Sequence, residues 1–287
     1  MLGAIEAGGT KWVCAVGGGP ESVAETETYP TTTPDETLAR ALAFFRRQGP
    51  LTAIGVGSFG PIDPRPGSPT FGSLLRTPKP GWQNVDVVRT LEAELGAPVA
   101  FDTDVNAAAL GESLYGAAHG DTNVLYITVG TGIGGGVVVD GRPVHGRLHP
   151  EVGHTRIPHD WAEDPFAGGC PFHGDCLEGL ASGEAIRKRC GTGAELVTDE
   201  RVWELEARYL ALGVLNALMV VSPERIVLGG SVMKHPGLLE GVRRQVGQLA
   251  AGYPDSLEPL DEYIVAPGLG DRSGVVGALE LARRLLD

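Results

Sequence analysis

No stretch of this 287-residue chain approaches the roughly 18 consecutive apolar residues that a membrane-crossing helix needs. Its start, Met1-Leu2-Gly3-Ala4-Ile5, carries no basic region and no cleavage site and enters a strand-like run at once, so neither a signal peptide nor a membrane partner is expected. Cysteine is scarce, at four residues. With no mark of export a cytoplasmic, reducing location is expected, where thiols serve better as metal ligands than as disulfide partners. Positive charge is short as well: 23 Lys and Arg against 36 Asp and Glu leave a net charge of −13. So acidic a surface repels a phosphate backbone, which argues against nucleic acid and leaves any bound nucleotide dependent on backbone N–H groups or a metal. The sequence also lacks G-x-x-x-x-G-K-[ST], which excludes a P-loop.

What is abundant is glycine (43) and proline (21), in short clusters between apolar runs that read as turns. The hydrophobic (42%) and charged (21%) fractions are those of a globular protein, and the length suits one or two domains.

One pattern occurs twice. Residues 4–16 and 125–139 each read as a β-rich run, a tight turn of Gly and Thr, and a second β-rich run, roughly 120 residues apart. Two related halves follow. Between and beyond them the pattern predicts helices over 35–48, 85–95, 105–118, 200–221 and 273–286, and strands over 51–57, 98–102 and 225–229. The class is α/β, with a boundary near 115–120.

Two segments, Gly55-Gly57-Gly60 and Gly130-Gly132-Gly135, match the dinucleotide pattern G-x-G-x-x-G. Neither is followed by a helix that could meet a pyrophosphate: Pro61 follows the first, and the strand-like Val137-Val138-Val139 the second. A Rossmann site is rejected. A phosphate-binding hairpin remains, in which glycines let backbone N–H groups converge on an anion and a threonine adds a donor; Gly8-Gly9-Thr10-Lys11 and Gly130-Thr131-Gly132 both fit, as would plain hairpin turns.

Asp104 falls where a predicted strand ends and a helix opens. It suits a helix N-cap and a general base equally well. Cys170, His173 and Cys176 form a C-x2-H-x2-C knuckle. A closed zinc site needs a fourth ligand, for which His154 and His159 are the candidates. Residues 157–176, rich in proline and glycine, cannot bury much apolar surface, so a bound metal would offset the entropy of ordering them. Residues 226–232 read as a buried strand with a glycine turn at Gly229-Gly230.

These features together resemble sugar kinases of the actin/hexokinase fold, and most closely the ROK family (repressors, open reading frames and kinases). The resemblance runs over nearly the whole chain. It is most specific at Glu-Val-Gly-His (151–154) and at 170–183, Cys-Pro-Phe-His-Gly-Asp-Cys-Leu-Glu-Gly-Leu-Ala-Ser-Gly. Ile-Glu-Ala-Gly-Gly-Thr-Lys (5–11) and Gly-Ser-Phe-Gly-Pro-Ile-Asp (57–63) are similar to the bacterial fructokinase branch. Thr103 stands where many ROK glucokinases have Asn before the catalytic Asp, which points the same way.

The resemblance implies two ribonuclease H-like (actin/hexokinase-like) domains around a central cleft: an N-terminal domain over 1–117, a C-terminal domain with the metal loop over 118–272, and helix 273–287 packed back on the first. It implies ATP-dependent phosphorylation of a hexose, D-fructose to D-fructose 6-phosphate, with glucose, mannose or an amino sugar as alternative substrates. By carry-over Asp104 is the catalytic base. Gly8, Gly9, Thr10, Lys11, Gly130, Thr131, Gly132, Gly229 and Gly230 hold ATP and its phosphates, and Gly60, Asn106, Glu151, His154 and Glu178 hold the sugar. His154, Cys170, His173 and Cys176 hold structural zinc, with His159 as the fallback. Family members more often use three cysteines and one histidine; zinc accepts the set found here. Mg²⁺ is expected on ATP oxygens and water, with Glu6, where most relatives have Asp, acting through water. A homodimer is expected. A sugar-responsive repressor would carry a helix-turn-helix ahead of the first glycine turn; that turn begins so early that no room for one is expected, and the charge argues against DNA.

Overall fold

The computed structural model describes residues 1–287, the side chain of Ser256 excepted. The strands are β1 (Leu2–Ala7), β2 (Lys11–Gly17), β3 (Val23–Pro30), β4 (Ala53–Ser58), β5 (Val99–Thr103), β6 (Val124–Val129), β7 (Ile133–Val139), β8 (Arg142–Pro143), β9 (Arg225–Gly229) and β10 (Ile264–Val265). The helices are α1 (Pro34–Gln48), α2 (Val87–Leu95), α3 (Asp104–Tyr115), α4 (Leu177–Ala181), α5 (Gly183–Cys190), α6 (Glu200–Val221), α7 (Leu238–Ala250), α8 (Leu260–Tyr263) and α9 (Ser273–Arg284). The chain divides into two compact units: residues 1–122, 138–150 and 268–287 form the first, and residues 123–137 and 151–267 the second. Segment 138–150, expected with the second half, clusters with the first.

The repeated hairpin seen in the sequence is the centre of two sheets with one strand order. The first runs β3-β2-β1-β4-β5; the second, read in the same direction, runs β8-β7-β6-β9-β10. Strands β1 and β2 pair antiparallel, while β4 and β5 continue parallel to β1, as β9 and β10 do to β6. In each sheet the strand opening the repeat therefore lies in the middle. Its C-terminal end, where ligands collect in sheets of this kind, carries a glycine turn.

In the first unit α9 and α3 pack against the sheet at the distance only small residues allow. A Cβ at Gly57 would lie 2.7 Å from the Ala107 Cβ, and one at Gly111 would lie 2.6 Å from the Ser273 carbonyl oxygen. A Cβ at Gly55 would run into the backbone of Ala278. Gly55 and Gly57, drawn together in the sequence by a ligand-binding pattern, thus serve helix packing. On the other face of the sheet Trp12, Phe44, Phe45, Trp82 and Leu91 form the core.

Helix ends follow their capping chemistry. Helix α1 starts where Thr33 accepts from Glu36 N, has Pro34 in its first turn, and carries Arg46 and Arg47 in its last. Helix α3 stops at Tyr115 rather than 118. The buried Glu112 carboxylate accepts from Ala117 N (2.7 Å), Gly268 N (2.9 Å), Leu269 N (3.0 Å) and Ser273 Oγ (2.6 Å), which turns the chain out of the helix at Gly116.

Helix α6 spans the predicted 200–221 and ends on Ser222 in the left-handed region, just before Pro223. It carries one misfit. Glu206 is 1% exposed, and neither carboxylate oxygen has a hydrogen-bond partner. Burial holds this carboxyl well above the usual carboxylate range, against a weaker opposing pull from Arg189. A carboxyl raised in the folded state gives up stability as pH climbs past its unfolded value of about 4.3. Glu206→Met should therefore raise the melting temperature at about pH 7.5 by on the order of 3 °C or more, and by clearly less at about pH 4.5. Thermal melts of both proteins at the two pH values check this; an equal gain at both would contradict it.

Candidate active site

In the first unit β1 and β2 are joined by Gly8, Gly9 and Thr10. The turn is held by Gly8 N donating to Lys11 O (3.0 Å), Thr31 N donating to Thr10 O (2.9 Å) and Thr31 Oγ1 donating to Gly8 O (2.7 Å). Its carbonyls are therefore engaged by protein donors. Lys11 is exposed at the start of β2.

Two carboxylates stand at the C-terminal ends of two parallel strands of this sheet, central β1 and edge β5, with β4 between them. Glu6 lies near the end of β1, beside the N-terminus of α9, where it accepts from the Val275 backbone. Its Oε2 is buried and meets no hydrogen-bond donor. Burial, and next the charge of Asp104, pushes Glu6 up to about 7, with Lys11 pulling the other way. Asp104 follows β5. Burial pushes it up to about 6, partly offset by the bond it accepts from Val105 N.

Asp104 is not the cap of α3. The N-cap of α3 is Thr103, whose Oγ1 accepts from Asn106 N at 3.0 Å. Asp104 is the first residue inside the helix, so its carboxylate is not required to end the ladder. Asp102 is buried and accepts from Thr103 N (2.7 Å) and Asn106 Nδ2 (2.8 Å) through Oδ1, while Oδ2 meets His145 Nε2 at 2.9 Å. Asn106, assigned to the sugar, is fully buried and spends its amide N–H on Asp102. Gly60 lies against His149, whose Nε2 accepts from Ile62 N at 3.2 Å. No spacing rule pointed to His145 or His149: they reach partners 43 and 87 residues away.

In the second unit β6 and β7 flank Gly130, Thr131 and Gly132. Gly183 N donates to Gly130 O (2.7 Å) and Glu184 N to Thr131 O (3.2 Å), so the start of α5 fixes this turn. Glu178 Oε2 accepts from Ile133 N at 3.0 Å, which ties the carboxylate to the same turn. Gly229 and Gly230 are adjacent to it. A Cβ at Gly229 would lie 2.9 Å from Pro267 and would clash with the Tyr126 hydroxyl; Gly230 has φ +97° and abuts the Val129 backbone. Both glycines are thus demanded by the protein's own packing as well as by any ligand.

His154, Cys170, His173 and Cys176 come together, with one ligand atom from each within 4.8 Å of every other, a set that can hold a metal ion. Cys170 Sγ is 3.7 Å from both His154 Nδ1 and His173 Nδ1, and Cys176 Sγ is 3.7 Å from His154 Nδ1. Glu151 stands at the start of the turn that ends in His154. His159, the fallback ligand, is engaged elsewhere, with Nε2 on Asp164 O (3.0 Å) and Nδ1 3.5 Å from Asp175. The proline-rich loop also has a second tether. Buried Asp164 accepts from Arg189 Nη2 (2.9 Å) and Tyr209 Oη (2.9 Å), bonds that hold its carboxyl below the usual range against the effect of burial. The metal cluster is therefore not alone in ordering the loop.

The model of the ROK family matches residues 2–285. The chain is 45% identical to the fructokinase of Zymomonas mobilis over 98% of this chain and 96% of that one. It is 42% identical to the fructokinase of Pediococcus pentosaceus over 100% and 99% of the two chains. Among solved structures, the ROK hexokinase of Thermus thermophilus superposes with a TM-score of 0.82 at 28% identity, covering 99% of this chain and 98% of that one. Among the described residues no helix is long and apolar enough to cross a membrane.

Proposed function

We propose that this chain, which belongs to the ROK family, is a fructokinase that transfers the γ-phosphoryl group of ATP to O6 of D-fructose. The observation that carries the reading is Asp104: a partly buried carboxylate at the end of β5, freed from capping by Thr103, with its pKa brought to about 6. A base poised near the working pH can take the proton of a sugar hydroxyl as the phosphoryl group arrives. Full-length identity to fructokinases supports fructose as the acceptor.

Asp104 is assigned as base, the 8–11 turn with its N–H groups and Lys11 to phosphate, and Gly60 and Asn106 to the sugar. Asn106 acts there mainly by shape, since its amide is bound to Asp102. The 130–132 turn is assigned to phosphate, the Gly229-Gly230 backbone to the adenosine, and Glu151, Glu178 and His154 to sugar hydroxyls. Magnesium supplies charge neutralisation on the phosphates; the orphaned Glu6 Oε2 is the atom suited to hold it through water.

The four-residue cluster suits zinc. Zn–S bonds of about 2.3 Å and Zn–N bonds of about 2.0–2.1 Å in a tetrahedron put ligand atoms about 3.5 Å apart. Three of the six separations are 3.7 Å and all lie within 4.8 Å, so the set would contract slightly onto the ion. His154 faces the cluster through Nδ1, which leaves its Nε2 edge for a substrate hydroxyl.

The test is a panel of fructose, mannose, glucose and amino sugars, read as kcat/KM with MgATP. Fructose should lead, and no turnover with any hexose would refute the reading. A second outcome follows from the two raised carboxyls. The base works deprotonated, so kcat/KM for fructose should fall as pH drops through about 6 to 7 and level off above. A profile flat from pH about 5 to 8 would contradict the assignment.

A further inference from the structure

His145 belongs to no motif, yet its Nε2 lies 2.9 Å from Asp102 Oδ2. Asp102 is 2% exposed, and its other oxygen accepts from Thr103 N and Asn106 Nδ2. Thr103 is the cap of α3 and Asn106 lies in its first turn; Asp104 stands between them. Three bonds from three residues converge on one buried carboxylate, and two of those residues flank the residue assigned as the base.

We propose that His145 is a positioning residue for phosphoryl transfer: through Asp102 it fixes the 102–106 turn that presents Asp104 to the sugar hydroxyl. The inference rests on the reading of Asp104 as base.

Without His145, Asp102 loses the donor to its Oδ2. A buried acceptor that loses its donor either turns toward another or takes up a proton. Either change loosens its hold on Thr103 N and Asn106 Nδ2, two bonds on the residues that flank Asp104 at the start of α3. A displacement of a reacting group by about 1 Å can cost up to about 10²-fold in rate. The segment that carries His145 is itself anchored, since His149 Nε2 accepts from Ile62 N four residues on. His145 and His149 thus tether this segment to the 102–106 turn and to Ile62. With its Nε2–H donating to Asp102, the ring is held in one tautomer.

His145→Ala and His145→Gln separate positioning from mere stability. Gln keeps an N–H donor near the position of Nε2. The alanine variant should lose about 10- to 100-fold in kcat for fructose, with KM within about 2-fold of wild type, and Gln should restore most of the loss. Melting temperatures of both variants are measured alongside. In wild type, nitrogen-15 NMR of the histidine ring should show the proton on Nε2 of His145. Wild-type kcat in the alanine variant, a loss carried in KM, a loss that Gln does not restore, or a ring protonated only on Nδ1 would each overturn the proposal. Turnover in wild type with an unaffected alanine variant overturns this inference alone; absence of hexose turnover in wild type overturns the kinase reading with it.

Discussion

Asp104→Asn should lower kcat with fructose and MgATP by about 10²- to 10⁴-fold, the range a positioned general base supplies. The melting temperature near neutral pH should hold or rise, since Asn removes a carboxyl that burial holds above its ordinary range. The two halves of this expectation come from one structural fact. The cap of α3 is Thr103, and the Asp104 carboxylate accepts from Val105 N and its own N–H, which an Asn side-chain oxygen can still do. What Asn cannot do is take a proton. Asp104→Ala sharpens the point: were Asp104 the cap, Ala would cost about 1 kcal/mol of stability, whereas here it should remove activity with little effect on the melt. Near-normal turnover in either variant would remove Asp104 as base.

Stripping the metal should have the second large effect. Protein purified without added metal should contain about one zinc per chain. Chelation should lower the melting temperature by roughly 10 °C or more, because zinc binding energy is folding energy for the loop it orders. Activity should fall with it, since Glu178 lies two residues beyond the last ligand and bonds the backbone of the 130–133 turn. Zinc added back should restore both. The loss should be partial rather than complete unfolding, because Asp164, Arg189 and Tyr209 tie the same loop without metal. Cys176→Ser should reproduce the chelated protein. A metal-free protein with full stability and activity would contradict the structural role.

Much of the fold was legible because it rests on local signals. The doubled hairpin announces itself in two runs of β-formers around glycine turns, and it became the centre of two sheets with one strand order. Helix α6 was bounded correctly because Pro223 stops it. Where the reading slipped, the cause was a long-range contact. Helix α3 ends early because Glu112 gathers donors from 268–273, more than 150 residues on. Gly55 and Gly57 matched a nucleotide pattern but answer to helices packed on β4.

The candidate site divides in the same way. The C-x2-H-x2-C knuckle is local, and His154 completes the set that its spacing left open. His159 is engaged by Asp164 and Asp175 instead, contacts that no pattern encodes. Which residue caps α3 is likewise invisible in sequence, since Thr103 and Asp104 are both competent caps and only the backbone decides between them. His145 and His149 carry no local signal at all, because they act across the sheet order rather than along the chain.

The central claim is that the chain carries the γ-phosphoryl group of ATP to O6 of fructose, and phosphorus-31 NMR of a complete reaction reads it directly. The account predicts one sugar product, fructose 6-phosphate, formed in step with ADP. Fructose 1-phosphate, or inorganic phosphate released from ATP with the sugar unchanged, would contradict it.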